Sequence, residues 1–302
     1  MTKQFLRNAA SLAVAAIALL AIQTPVHAED GSLRVGGSTT LVPAIANAAM
    51  IFMDKNESWT QVDPVLPDEQ PVIYVTGGGS GFGVKSAING AVDIGMASRD
   101  IKDSEKEALG PHNAYLVGKD AVAFAVEKSN PLAKLKGNLT SAEVREILSG
   151  EYSTYKDIDP SLPDTEIVLL VRDAGGGSAE IVQEKIMGDA QISAGALQMP
   201  SQGALLKKLA SNPNAFGYIS AGLAGESDDL IVFGLDGVEP SHRNVVSGSY
   251  KLARPLLMIV KGETPGPTAK AFIDYVLEDG QASVAAQGYV PVHEAKVSGL
   301  SQ

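Results

Sequence analysis

Three places along this chain repeat one pattern: a short apolar strand, a turn of glycine with serine or threonine, and the start of a helix. Leu33-Arg34-Val35 runs into Gly36-Gly37-Ser38-Thr39-Thr40. Val72 to Val75 runs into Gly77-Gly78-Gly79-Ser80-Gly81, and Glu166 to Val171 into Arg172-Asp173-Ala174-Gly175-Gly176-Gly177-Ser178. Apolar residues at helical spacing follow each turn: Val42, Ile45, Ala49 and Phe52; Val84, Ala87 and Ile88; Ile181, Val182 and Ile186. The first turn of a helix has backbone N–H groups without intrahelical partners, and its dipole favours negative charge. Glycines let the backbone approach a ligand closely, and Ser or Thr hydroxyls add donors at the cap. One such turn is an ordinary helix cap, whereas three in one chain can converge on a single anion.

The alternation of short strands and helices is the α/β pattern, and 302 residues exceed what one hydrophobic core serves, so two compact units are expected. Val92 to Met96 and Leu256 to Val260 read as further strands, and Ala269 to Leu277 as an amphipathic helix. Thr140-Ser141-Ala142-Glu143 is a capping box for a helix that Gly150 stops. Residues 54–70, polar and with two prolines, read as a long loop. At the N-terminus, Lys3 and Arg7 precede an apolar run from Ala9 to Ile22, and Val26-His27-Ala28 offers a small-residue cleavage pattern. Residues 1–28 are therefore expected to be a cleaved signal peptide. The net charge of −11 becomes −13 once Lys3 and Arg7 leave with it. So acidic a chain is a poor non-specific binder of nucleic acid or anionic membrane. Zero Cys excludes disulfides, a cysteine nucleophile and a lipidated N-terminal cysteine, so a protein free in the periplasm is expected.

No enzymatic fingerprint is complete. In the second turn Gly83 is followed by Val84 before Lys85, which breaks a P-loop, and G-x-G-x-x-G fails at Phe82 or Val84. The nucleophile elbow G-x-S-x-G fails at Phe82 and at Glu180. Ser153 to Lys156 spells S-x-x-K without its companion motifs. His112, His242 and His293 show no metal-ligand spacing. No catalytic residue, metal or cofactor is expected.

Several segments in order resemble the phosphate-binding protein of the phosphate-specific ABC transporter, within the periplasmic binding protein superfamily. They are Gly36 to Pro43 (GGSTTLVP), Gly79 to Lys85 (GSGFGVK), Val92 to Arg99 (VDIGMASR), Ser129-Asn130-Pro131, Leu139 to Asp157 (LTSAEVREILSGEYSTYKD), Arg172 to Ser178, Asn212 to Ile219 (NPNAFGYI), Ser247 to Gly262 (SGSYKLARPLLMIVKG) and Gly288 to Pro291 (GYVP). The resemblance implies two α/β lobes joined by two crossing strands, with the ligand in the cleft between them. The first lobe would be discontinuous, 29–120 with 250–302, and the second 121–249. Lobes of this kind close about a hinge.

Carried over position by position, the resemblance implies a phosphate site of Ser38, Thr39 and Thr40 from the first turn and Ser80 from the second. Across the cleft it implies Arg172, Gly176, Gly177 and Ser178. Arg172 would be a forked cationic donor suited to a tetrahedral oxyanion. Gly176 stands where the family has a serine, losing a hydroxyl but keeping the N–H; Ser178 stands for the family's threonine. At Ser98 the family's usual pattern has a carboxylate that accepts the phosphate's proton and repels fully ionised sulfate. Asp93, Asp100 or no carboxylate takes that part here. The expected function is a non-enzymatic, monomeric receptor that delivers phosphate to the membrane subunits of an ABC permease. The alternatives are a receptor for sulfate, molybdate or arsenate, a secreted phosphate-ester hydrolase, and a sensory or adhesive protein that has kept the fold.

Overall fold

The structure is a computed structural model, described here for residues 32–135 and 137–293. The expected signal peptide, residues 1–28, lies outside the described residues. The strands in chain order are β1 (Ser32–Gly37), β2 (Val72–Thr76), β3 (Ile94–Ala97), β4 (His112–Glu127), β5 (Asn138–Leu139), β6 (Val168–Arg172), β7 (Leu197–Met199), β8 (Ala215–Ser220), β9 (Leu230–Leu235), β10 (Ala253–Lys261) and β11 (Val290–Pro291). They form one curled sheet whose main path runs β2-β1-β3-β10-β4-β8-β6-β7.

β1 pairs in parallel with β2 and β3, and β6 in parallel with β7 and β8, so each end of the sheet is the parallel kind that helices cover. β4 and β10 join the ends. The first half of β4 pairs antiparallel with β10, and its second half, Val122 to Glu127, with β8 and β9. Two main cores follow this division. One gathers Leu33, Val35, Phe52, Ile94, Met258 and Phe272; the other gathers Phe124, Ile147, Tyr155, Val182, Phe216 and Phe233. β4 supplies Val117 to the first and Ala121, Val122, Phe124 and Val126 to the second. The result is a two-lobed α/β fold.

The helices that matter for the site are α1 (Val42–Lys55), α2 (Ser80–Ile88) and α3 (Asp103–Leu109) in the first core's half, and the helix Gly177–Val182 in the other. This last helix widens into a π-helical turn at Gln183–Met187 and ends at Gly188, whose φ of 59° suits glycine. The capping box read at 140–143 is present: Glu143 N–H donates to Thr140 Oγ1 (3.1 Å) and Thr140 N–H to Glu143 Oε2 (2.8 Å). β3 begins two residues later than the apolar run implies, because Asp93 turns aside to take the Arg34 N–H at 2.8 Å. Of the segment 54–70, Asp54 and Lys55 still belong to α1, and the rest holds one 3₁₀ turn, Trp59–Gln61. It carries Trp59 and Leu66 into the first core, with the Trp59 ring 5.3 Å from that of Phe52.

Candidate anion-binding site

The three glycine turns meet where the two halves of the molecule face each other. β1 delivers Ser38, Thr39 and Thr40 to the start of α1, and β2 delivers Ser80 to the first position of α2. β6 ends at Arg172 and hands over to the turn that starts the helix at Gly177. Ser38, Thr40, Ser80, Ser98, Arg172 and Ser178 are at most 3 % exposed, and Thr39 is half-buried.

Contacts across the cleft are direct. Arg172 Nη1 donates to Thr39 Oγ1 at 2.9 Å, and Gly81 N–H donates to the Gly175 carbonyl at 3.2 Å. Gly79 has a φ of 91°, and a β-carbon there would stand 2.5 Å from the Gly175 oxygen. A β-carbon on Gly177 would stand 2.5 Å from Ser80 Oγ and 2.8 Å from Ser98 Oγ. Glycine at both positions is what lets the two backbones close to this distance. Ser98 N–H donates to Ser80 Oγ (3.0 Å), and the two hydroxyls lie 3.3 Å apart. Ser38 sits one step back, its Oγ taking the Leu41 N–H at 3.4 Å. Gly176 is buried against the Arg172 guanidinium.

Arg172 is tightly fixed. Its Nε donates to the Met199 carbonyl (2.9 Å), and its Nη2 to Asp173 Oδ1 (2.6 Å) and the Pro200 carbonyl (3.2 Å). Its backbone N–H donates to the Tyr218 hydroxyl (3.2 Å), a phenol whose pKa burial pushes up to about 12. Nη1 therefore faces the cleft with one hydrogen on Thr39 and one left over.

Three residues not singled out from the sequence belong to the same cluster. Arg254, on β10, is buried with its Nε and Nη2 on Asp120 Oδ2 of β4, at 3.2 and 2.7 Å. The guanidinium's remaining edge reaches Thr40 Oγ1 (3.2 Å), Ser98 Oγ (3.2 Å) and Ser178 Oγ (2.8 Å). Gln202 is fully buried and donates to Ser178 Oγ at 2.7 Å. The sequence carried a signal for the charged pair: Asp120 and Arg254 each open an otherwise apolar strand run, where an ionised group needs a partner. Of the carboxylates considered for the phosphate's proton, Asp93 is committed to the Arg34 guanidinium at 2.8 Å. Among the described residues no group of three or more His, Cys, Asp or Glu could hold a metal ion.

A second contact closes the flank. Arg99 makes a two-pronged pair with Glu105 at 2.7 and 2.8 Å and also faces Glu180 of the opposite half, with Nε 2.9 Å from Oε2. Lys102 joins Glu180 at 2.5 Å. Burial raises the Glu105 pKa, but the hydrogen bonds from Arg99 and the Lys102 N–H outweigh it and leave it below the ordinary value. Between this flank and the turns lies a groove of about 980 Å³ bordered by Arg99, Arg172, Glu180 and Arg254.

A sequence profile of the PBP superfamily domain matches residues 23–279. The chain belongs to the PBP superfamily. Within it, the chain is 33 % identical over 277 residues to the phosphate-binding protein PstS of Bacillus subtilis, covering 89 % of this chain and 83 % of that protein. A solved structure from Clostridium perfringens, described as a phosphate ABC transporter substrate-binding protein with bound phosphate, is 30 % identical. It superposes with a TM-score of 0.73 over 86 % of this chain and 99 % of that one. An ABC-type phosphate transport receptor from Vibrio cholerae shares the fold at 22 % identity and a TM-score of 0.65, over 85 % and 99 % of the two chains. This PBP-superfamily chain is a binding protein rather than an enzyme.

Proposed function

We propose that the chain is a receptor that captures inorganic phosphate between its lobes and delivers it to an ABC permease. The observation that carries the reading is the meeting of hydroxyls and a fixed guanidinium from both sides of the cleft in one largely buried cluster. Ser38, Thr39, Thr40, Ser80 and Ser98 come from one side, and Arg172, Gly176, Gly177 and Ser178 from the other. The phosphate-binding relatives in B. subtilis and C. perfringens support the choice of anion.

The chemistry follows from the donors. Thr39 Oγ1 already accepts from Arg172, so its own proton is available to an anion oxygen, alongside the spare hydrogen on Nη1. Arg172 stands against Asp173, so the site holds an anion by directed dipoles and one shared positive charge rather than by bulk charge. That is how an acidic protein can take up an anion: at moderate salt its net charge is screened beyond about 10 Å.

We assign the lobes as 29–120 with 250–302, and 121–249, with β4 and β10 as the crossing strands. The protein is exported by a cleaved signal peptide at 1–28, acts as a monomer in the periplasm without a lipid anchor, and binds no nucleic acid. Among the described residues no helix is long and apolar enough to cross a membrane.

The test is calorimetry on the mature protein after bound ligand has been stripped by partial unfolding and refolding. Tight phosphate binding with much weaker sulfate binding, and no turnover of a phosphate ester, is the expected result. Preference for sulfate would assign another oxyanion, and steady ester turnover would overturn the receptor reading.

A further inference from the structure

The buried Asp120–Arg254 pair and Gln202 are left without a task once the anion's direct donors are named. Their hydrogen bonds have a directional consequence. A serine hydroxyl has one proton and two acceptor lone pairs. Ser178 Oγ accepts from Arg254 Nη1 at 2.8 Å and from Gln202 Nε2 at 2.7 Å. With both lone pairs engaged by obligate donors, its proton must point elsewhere. Gln202 cannot turn its amide to reverse this, because its Oε1 takes the Ser220 N–H at 3.1 Å.

The same guanidinium acts on the opposite side of the cleft. It donates to Thr40 Oγ1 and Ser98 Oγ, both at 3.2 Å, so these oxygens also act as acceptors toward the protein. Arg254 can serve all three hydroxyls because Asp120 holds its Nε and Nη2 from the neighbouring strand. Asp120 is fixed in turn by the Gly222 N–H on Oδ1 at 3.2 Å. Both partners are almost wholly buried, side chains 0 % and 1 % exposed, so neither is held merely as a surface ion pair.

We infer that Arg254, clamped by Asp120, and Gln202 are positioning residues that orient the hydroxyl protons of Thr40, Ser98 and Ser178 toward the bound oxyanion. The inference rests on the phosphate-receptor reading and deepens it. Arg254 lies on a crossing strand and touches hydroxyls of both lobes, so closure and proton orientation are one event. Donors pre-aimed at an anion incur little reorganisation when it binds.

The experiment is phosphate calorimetry on the full-length mature protein and four variants, with ligand-free thermal unfolding as the check on folding. Gln202→Glu presents a carboxylate to Ser178 Oγ, which draws the serine proton away from the site at nearly unchanged volume. It should weaken phosphate binding at least about tenfold, the scale of one lost hydrogen bond to a charged group. Ser178→Ala should weaken it as well. In the Ser178→Ala background, adding Gln202→Glu should cost clearly less than it does in the parent, because only the repulsion between the new carboxylate and the anion remains, a coupling that a merely structural role for Gln202 would not produce. The paired change Asp120→Asn with Arg254→Met removes the guanidinium without stranding a buried charge, and should weaken phosphate binding by a comparable factor. Additive losses for Gln202→Glu and Ser178→Ala, or unchanged affinity in Gln202→Glu, would overturn this inference while leaving the receptor reading intact. Failure of the unaltered protein to bind phosphate would overturn both.

Discussion

Among the described residues, two places where the lobes touch are built from different chemistry. At the centre, contacts run through hydroxyls, glycine backbone and two guanidinium groups that each sit beside their own carboxylate, Arg172 with Asp173 and Arg254 with Asp120. On the flank, closure rests on Arg99, Lys102 and Glu180, side chains whose ion pairs are their main cross-cleft contact. The central region gathers hydroxyl and guanidinium donors and, with each guanidinium beside a carboxylate, holds almost no net charge. The flank joins the two sides by ion pairs that stand apart from those hydroxyls. Affinity should therefore depend on the centre through direct contacts and on the flank through the closing equilibrium.

The largest effect is expected at the centre. Arg172→Ala should weaken phosphate binding by at least about 2 kcal/mol, the scale for truncating a buried charged partner. An unchanged isotherm would move the anion away from β6. Gly177→Ala comes next: its β-carbon would meet Ser80 Oγ at 2.5 Å, so the lobes could not close fully, and overpacking of this kind costs about 1–3 kcal/mol. Small-angle scattering with phosphate present should show this variant remaining more open than the parent, and full compaction would remove the steric argument. Lys102→Gln, at the exposed end of the flank where Lys102 meets Glu180, should lower phosphate affinity by up to about 1 kcal/mol, the range for exposed pairs. That loss should fade with added salt, while the loss in Arg172→Ala should not. Equal salt dependence in both would erase the distinction between centre and flank. The smallest effect concerns acid. Because Glu105 has a folded pKa below its ordinary 4.5, its stabilising contribution is present above that value and is lost as the pH falls below it. Chemical denaturation of the ligand-free protein between pH 6 and pH 3, compared with Glu105→Gln, should show the parent losing its advantage there.

Centre and flank also differ in how far they can be read from the chain. The turn-and-helix units at 36–40, 77–81 and 175–178 are local, since glycine, hydroxyl and helix start lie within a few residues of one another. The strand and helix types around them were legible for the same reason. Asp120 and Arg254 meet across 134 positions, on strands that pair only once the sheet has formed. Their presence was marked by charge in an apolar run, but their partnership was not. Arg99 had the same ambiguity: beside Ser98 and Asp100 it could face solvent or the cleft, and only the placement of Glu180 on the opposite lobe decides. The segment 54–70 reads as a polar connection because most of it is polar. Its single Trp59 is the residue that matters, filling the first core against Phe52, and one buried ring in a polar stretch leaves no periodicity to detect.

The central claim is that one tetrahedral anion is held by groups from all three glycine turns. A crystal structure of the protein with phosphate tests it most directly. The account predicts phosphate oxygens within hydrogen-bond distance of Thr39 or Thr40, of Ser80, and of Arg172 together with Gly177 or Ser178. Phosphate bound in the flanking groove, touching Lys102 but none of those hydroxyls, would contradict it.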